Sequence, residues 1–292
     1  MQEIAKGIVA STEFRHITVG AVATGSGIVC VDVPPLPSEA RQWRAMLQDH
    51  FKQPIRLLVL TDAHPHRLLG SHWIKEARIV AHSATFDLMR GLPNNFVDQT
   101  ADLIARDSEE RSSFAGVRLH YPCVTFNERM TVFVKKVPIT LHAMPGPTPG
   151  NVWLHFPNQG VVFTGDSVVV DQPPMMFHTR SKDWLNSLSV LRRPRFAADV
   201  IVPGRGPLTD KAATQPISEF LRYVRRRMQR FYLSGRPRVE VGDIVPSVMA
   251  HLGNIDPAEE EAFARWLRGG LESVYDEFEQ GSDQADSASG RQ

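Results

Sequence analysis

The sequence predicts an α/β fold, because β-rich runs alternate with amphipathic helical runs along most of the chain. With 292 residues and a hydrophobic content of 42%, the chain can bury a full core. Short apolar, β-branched runs bounded by turn residues predict the strands. These predicted strands are residues 16–20, 27–33, 55–61, 77–81, 131–133, 139–143, 151–155, 160–164 and 199–202.

Helical periodicity and end signals predict helices between and after the strands. The first helix, 38–51, has Ser38 as its N-cap and an acidic residue in its first turn. Residues 83–111 are amphipathic, with a break near 91–93. Further helices are predicted at 68–75, 181–191, 217–232 and 256–278, the last with a proline in its first turn. Residues 281–292 are rich in Gly, Ser, Asp and Gln, which predicts a disordered tail.

Composition and charge limit the classes of partner. A formal net charge of +1 gives no reason to expect nucleic acid or another polyanion, and the arginine-rich run 222–230 is interpreted as a solvated helix face. The N-terminal residues lack a signal-peptide pattern and no run is long enough to span a membrane. We therefore expect a cytoplasmic protein without membrane contact, whose oligomeric state the sequence leaves open. Cys30 and Cys123 are expected to be unpaired, buried thiols, with one disulfide between them as the alternative.

Four separated loops carry the pattern that bears on function. They are 58–70 (LVLTDAHPHRLLG), 145–150 (PGPTPG), 163–166 (FTGD) and 202–207 (VPGRGP). In this order and spacing they resemble the ligand-bearing loops of the metallo-β-lactamase superfamily, nearest to its glyoxalase-like and quinoprotein-relay-like branch. The resemblance implies a four-layered αββα sandwich over residues 1–235, with a helical insert at about 83–115 near the site. A C-terminal helical extension over 236–280 would pack on this domain.

In that family the loops hold a pair of metal ions through THxHxDH, a His after a Gly, a bridging Asp and PGHG. Here most ligand positions carry a different residue. His64 and Asp166 match the family's ligands at their positions. His66 occupies the position of an Asp ligand, and four other residues occupy positions of His ligands: Asp62, Arg67, Pro147 and Arg205. Asp32 matches the family's structural Asp at a strand end, and we expect it to orient the first loop by accepting backbone hydrogen bonds.

The changed ligands decide what cofactor to expect. One metal position would keep Asp62, His64 and Asp166, so a single Zn, Mn or Fe ion is the alternative. The other position would face two arginines, and a guanidinium cannot lose its proton to become a ligand. The preferred interpretation is a site without a cofactor, in which Arg67 and Arg205 offset the buried charges of Asp62 and Asp166.

Three classes of function remain open at this point. The chain is a metal-independent enzyme or pseudo-hydrolase, a non-catalytic ligand-binding protein, or a one-metal hydrolase of a lactone, thioester or other ester. The candidate partner is a small molecule, with an anionic group as the first possibility. The candidate catalytic residues are His64, His66 and Asp166, and the candidate substrate-binding residues are Arg67, Arg205 and His178.

Overall fold

The computed structural model describes residues 1–134, 137–252, 255, 257 and 260–289. The strands are β1 Gln2–Ala5, β2 Ile8–Ser11, β3 Val19–Ala23, β4 Ile28–Val31, β5 Ile55–Val59, β6 Arg78–His82, β7 Val124–Phe126, β8 Arg129–Val134, β9 Val137–Ala143, β10 Val152–Phe156, β11 Val161–Val169 and β12 Val200–Arg205. The helices are α1 Pro37–Phe51, α2 Pro65–Leu69, α3 Ser83–Arg90, α4 Phe96–Ile104, α5 Ser108–Ser113, α6 Ser181–Arg192, α7 Thr214–Leu233, α8 Val245–Leu252 and α9 Glu260–Ser289.

Within the described ranges the strands form two sheets. One sheet has the order β1-β2-β3-β4-β5-β6-β7, and the other has the order β12-β11-β10-β9-β8. The pairs from β4 to β7 and the pair β11–β12 are parallel, whereas the other neighbours are antiparallel. Because parallel strands end at the same edge, each sheet presents a row of strand ends from which loops can build a site.

The core is divided into three apolar clusters by the two sheets. Val29 and Val31 of β4 pack between the sheets, whereas Ile28 and Cys30 of the same strand pack with α1 on the outer face. This alternation follows from the two-residue period of a strand. A third cluster joins the second sheet to α6, α7 and α9. The predicted four-layered αββα sandwich is therefore confirmed.

Among the helices outside the sandwich, no separate helix was predicted at α8, and α9 ends later than expected. α3, α4 and α5 lie in the predicted insert, and α9 packs against α7 and α8. However, α9 continues to Ser289, where composition had predicted a disordered tail from 281. The run 281–289 contains no proline and a single glycine, so nothing in it forces the helix to end. Residues 290–292 of the predicted tail lie outside the described residues.

Two features at the N-terminal end were not predicted. β1 and β2 form a hairpin around Gly7, whose φ of 74° lies in the left-handed region that glycine adopts easily. Each strand has only four residues, which is too short to show a period in the sequence. α1 begins at Pro37 after Leu36 and has no side-chain cap, so the predicted cap at Ser38 is wrong. The fixed φ of proline suits the first helical position and starts the helix one residue earlier.

Two further expectations concern the membrane and the thiols. No helix in the described part of the chain combines the length and the apolar character that a membrane crossing requires. Cys30 and Cys123 are free thiols, as predicted, and Cys30 is buried. Cys123 is exposed, so the prediction of a buried thiol is wrong at this position. Burial raises the pKa of the Cys30 thiol to about 12, so this group is an inert part of the core.

Candidate functional site

The predicted site residues meet where parallel strands of both sheets end. Asp32 directly follows β4, Asp62 lies in the loop after β5, Asp166 lies within β11, and Arg205 is the last residue of β12. α2 starts at Pro65 inside the first loop, earlier than the predicted helix at 68–75, and so carries His66 and Arg67. The folding of the two sheets against each other thus brings all these side chains into one cluster.

The Arg67 guanidinium lies at the centre of this cluster and is completely buried. Its Nη1 donates to Asp32 Oδ2, and its Nη2 donates to Asp166 Oδ1 at 2.5 Å. Nη2 also donates to the Gly204 carbonyl at 3.0 Å, and Nε lies 3.1 Å from Asp62 Oδ2 at ion-pair distance without hydrogen-bond geometry. One guanidinium therefore contacts three buried carboxylates.

Gly204 allows the guanidinium and Asp166 to come this close to the backbone of β12. A Cβ at position 204 would overlap Asp166 Oδ1 and Arg67 Nη2, so a larger residue would push the pair apart. The glycine of the PGHG-like frame is thus explained by the close approach of the charged side chains.

Arg205 forms the second ion pair of the cluster and is only 3% exposed. Its Nε donates to Asp166 Oδ2 at 3.1 Å. Nη1 donates to Gln172 Oε1 at 3.0 Å, and Nη2 donates to the Pro173 carbonyl at 2.9 Å. Asp166 is consequently held between two guanidiniums, one on each carboxylate oxygen.

Arg67 and Arg205, the predicted substrate-binding residues, have their contacts within the protein. The nitrogens of both side chains contact acceptors of the protein itself, and both side chains are buried. An anion from solution could reach them only by displacing these acceptors. The contacts support the charge-compensating role that the sequence also suggested.

Asp32 orients the first loop as expected from its position. Its Oδ1 accepts from the Thr61 backbone N–H at 2.9 Å, and its Oδ2 accepts from the Thr61 hydroxyl at 2.6 Å. Asp32 itself has a φ of 56°, an uncommon conformation for a residue other than glycine. These bonds fix the start of the loop that carries Asp62 and His64.

His64 is oriented by a carboxylate, and its second ring nitrogen is left without a partner. Nδ1 lies 3.0 Å from Asp62 Oδ1 and 3.6 Å from Asp166 Oδ2. Nε2 is buried and has no hydrogen-bond partner among the described residues, and the same is true of His66 Nε2. The two rings are stacked, with centroids 5.4 Å apart. A buried polar nitrogen without a partner costs stability, which points to a functional reason for keeping it.

The guanidiniums control the ionisation of two carboxyls in the cluster. Burial opposes ionisation of Asp62, but the positive charge of Arg67 and the contact with His64 lower the pKa of Asp62 to about 2. Burial also opposes ionisation of Asp166, yet Arg205 and Arg67 hold its pKa well below the usual range. Both carboxyls are therefore ionised at neutral pH.

Burial dominates at two other groups. It raises the pKa of Asp32 despite the nearby Arg67, and it holds the pKa of His66 well below its usual range. The His66 ring is consequently neutral at physiological pH. It can offer one hydrogen-bond donor and one acceptor, but no charge.

Acid should destabilise the fold through Asp62 and Asp166. A carboxyl whose folded pKa is depressed stabilises the folded state above the unfolded pKa, and this stability is lost as pH falls through the folded pKa. We expect the free energy of unfolding to fall between about pH 4 and pH 2, by about 2 kcal/mol from Asp62 alone. Asp32, whose pKa is raised, opposes part of this loss. Urea unfolding across that range measures the effect.

Asp62→Asn is the informative variant for this acid effect, with Asp199→Asn at an exposed position as its control. The slope of stability against pH should flatten in Asp62→Asn and stay unchanged in Asp199→Asn. Equal slopes in all three proteins would contradict the assigned ion pairs.

The second loop, 145–150, contacts the neighbouring segment 177–179 through its backbone. The carbonyl of Pro147, at the position of a family ligand, accepts from the Phe177 N–H at 3.2 Å and from the Thr179 hydroxyl at 3.0 Å. Phe177 is thereby held near His64, with ring centroids 6.1 Å apart. The predicted residue His178 is exposed and lies at the edge of an adjacent cavity. The sequence named His178 and not Phe177, because nothing in a loop without periodicity distinguishes the ring that turns inward.

The donor set does not fit a divalent metal ion. In the part of the chain that the structure describes, no group of three or more His, Cys, Asp or Glu side chains could hold one. Asp62 and Asp166 both contact Arg67, whose positive charge would repel a cation beside them. The three predicted ligands, completed by His64, therefore do not converge on an ion while Arg67 lies between the carboxylates.

Solved structures with the same fold extend over nearly the whole chain. A metallo-beta-lactamase family protein from Thermus thermophilus is 16% identical, with a TM-score of 0.66 covering 94% of this chain and 95% of that one. A stereoselective inverting sec-alkylsulfatase from Pseudomonas sp. is 13% identical, with a TM-score of 0.64 covering 94% of this chain and 49% of that one. At these identities the likeness shows the fold alone.

Sequence comparison identifies the family. The chain is 29% identical over 153 residues to the 2,4-dinitroanisole O-demethylase subunit alpha of Nocardioides sp. (strain JS1661). That match covers 51% of this chain and 40% of the relative, so it spans less than half of the relative's length. The family model of the metallo-beta-lactamase superfamily matches residues 16–205, which include the first three loops and residues 202–205 of the fourth. The chain belongs to the metallo-beta-lactamase superfamily.

Proposed function

We propose that this hydrolase-like protein works without a metal ion, with His64 as a general base and Arg67 in the place of the family's metal pair. The observation that carries the proposal is the pairing of His64 with Asp62: the carboxylate holds Nδ1 at 3.0 Å, and Nε2 has no partner among the described residues. A carboxylate that fixes the imidazole in this way favours the Nδ1–H tautomer and leaves Nε2 free to accept a proton.

Charge balance supports the proposal that Arg67 supplies the positive charge in place of the metal pair. Three carboxylates buried without partners would be prohibitively unstable, and Arg67 contacts all three of them. In the family, divalent cations supply the positive charge at this point. Here a guanidinium built into the chain supplies it, and Arg205 adds a second on Asp166.

The proposed reaction is hydrolysis of a small ester, lactone or related compound. His64 Nε2 removes a proton from water as the water oxygen attacks the electrophilic carbon, and the imidazolium then returns the proton to the leaving oxygen as its bond to carbon breaks. Asp62 acts as a positioning residue, and both Asp62 and Asp166 stabilise the transient imidazolium. His66 Nε2, which is also without a partner among the described residues, is the candidate donor to the developing oxyanion.

The name of the Nocardioides relative adds a substrate class to test. That protein is called a 2,4-dinitroanisole O-demethylase subunit, and 2,4-dinitroanisole is an uncharged aryl ether. We propose to include activated aryl ethers with the esters and lactones. The word "subunit" also makes a partner chain a hypothesis for this protein.

Removal of the base tests the proposal. We expect His64→Gln to lower kcat for phenyl acetate, a small lactone or an activated anisole by about 10²–10⁴-fold. Treatment of the wild-type protein with a chelator should leave kcat unchanged. His50→Gln, at an exposed histidine, is the matched control and should keep the wild-type rate. A wild-type rate in His64→Gln, or loss of activity on chelation, would refute the proposal.

A non-catalytic binding protein is the second candidate, and one observation favours it. The free nitrogens of His64 and His66 are shielded from solvent, so substrate reaches them only after a side chain moves. If none of these compounds is turned over above the rate in water, the binding role replaces the catalytic one. The one-metal hydrolase, with Zn, Mn or Fe held by Asp62, His64 and Asp166, stays a third hypothesis, which metal analysis decides.

A further inference from the structure

A cavity of about 420 Å³ lies between the first loop, α3 and the segment around Phe177. Its walls are mostly apolar, with Leu68, Leu88 and Leu92 among them. Asp87 and His178, which are both exposed, are its polar members. The size falls in the range of small-molecule sites in proteins.

Phe177 connects this cavity to the proposed base. Its ring lines the cavity and also lies 6.1 Å from the His64 ring, centroid to centroid. Ala63 and Leu68, on either side of His64 in the chain, line the same cavity. His64 itself does not line the cavity, and the segment around Phe177 forms the cavity wall next to the His64 ring.

The backbone of this wall combines fixed and strained positions. The Pro147 carbonyl accepts bonds from Phe177 and Thr179, which flank His178. His178 has a φ of 51°, in the left-handed region that is unfavourable for residues with a Cβ. Strain of this kind is stored at functional segments more often than elsewhere.

The residues around the cavity favour a neutral ligand over an anionic one. Arg67 and Arg205 do not line it, and their nitrogens contact protein acceptors. A carboxylate in the cavity would lose its water without gaining a cation and would meet Asp87 at the rim. A neutral apolar molecule would instead gain from burial against leucine and phenylalanine side chains.

We propose that this cavity is the substrate site, that it takes small neutral, mainly apolar molecules, and that Phe177 moves aside to expose them to His64. The proposal rests on the proposed function for the role of His64, but the binding of ligand in the cavity is separable from it. It also replaces the anionic ligand that the sequence had suggested.

Anisole and benzoate, which have similar size and differ in charge, are suitable probes. Titration calorimetry and thermal shift should show binding of anisole and not of benzoate to the wild-type protein. Leu88→Arg introduces a cation into the wall and should reverse this preference, while Leu233→Arg, at a leucine that is 74% exposed, should leave it unchanged. If Leu88→Arg fails to fold, Leu92→Ser should still weaken anisole binding. Benzoate binding as tightly as anisole to the wild type, or anisole binding unchanged in the cavity variants, would overturn the proposal.

A labelling experiment tests the wall itself. Phe177→Ala should increase the rate at which diethyl pyrocarbonate modifies His64, with the exposed His50 modified at an unchanged rate as the internal control. An unchanged rate at His64 would show that Phe177 is not the barrier.

The variants also separate this proposal from the proposed function. His64→Gln should retain anisole binding, because His64 lies behind the wall. If anisole binds but no ester is turned over, the cavity is a ligand site and the catalytic role of His64 is refuted. If turnover depends on His64 but neither probe binds, His64 is the base and the cavity is not the substrate site.

Discussion

Arg67→Met is expected to lower the free energy of unfolding by about 3–5 kcal/mol, because it leaves buried carboxylates without their shared partner. The methionine fills a similar volume, so the loss would report charge rather than packing. Asp32, Asp62 and Asp166 all contact the guanidinium, and the other arginine of the cluster, Arg205, contacts Asp166. A loss of this size is a large part of the stability of an ordinary domain.

Urea unfolding with matched variants makes this prediction specific. Arg226→Met, at an exposed arginine of α7, should change stability by less than about 0.5 kcal/mol. Arg67→Lys keeps one positive charge but cannot contact three carboxylates at once, so its stability should lie between those of Arg67→Met and the wild type. The double variant Arg67→Met/Asp166→Asn should recover part of the loss, since one unpaired charge is removed. A cost below about 1 kcal/mol for Arg67→Met would contradict the central position given to this guanidinium.

The sandwich could be predicted from the sequence because its signals are local or motif-based. The alternation of strand and helix patterns predicted the layered fold. The motifs around Thr61–Asp62 and Gly165–Asp166 indicated the superfamily, which the family model matches. The pairing of arginine with aspartate could also be anticipated, because two ligand positions carry a guanidinium in a site that retains carboxylates. Asp32 was expected to orient the first loop, and its bonds to Thr61 agree with that expectation.

The features that could not be predicted depend on contacts between distant segments. The contacts of the Arg205 Nη atoms with Gln172 and Pro173 could not be predicted, because these two residues lie in a loop without any motif. Phe177 was not singled out, because its inward direction depends on two bonds to the Pro147 carbonyl. The strands β1 and β2 were missed because four-residue strands carry too few positions to show a pattern.

The metal content of the protein is the most direct measurement of whether Arg67 stands in place of the metal pair. The wild-type protein, equilibrated with zinc and then desalted, is expected to retain no stoichiometric metal, and its Tm should be the same with and without a chelator. A variant with the family's ligand set provides the positive control in the same measurement. Its substitutions are Asp62→His, His66→Asp, Arg67→His, Pro147→His and Arg205→His.

The substituted protein should bind about two equivalents of zinc, because the loops that carry the new ligands already meet at one edge of the sheets. If this variant folds but binds no zinc, the loops do not superpose on those of the family. For the wild type, we expect no bound metal and an unchanged Tm. One tightly bound equivalent of metal, with a fall in Tm when a chelator removes it, would show instead that the site holds a metal ion.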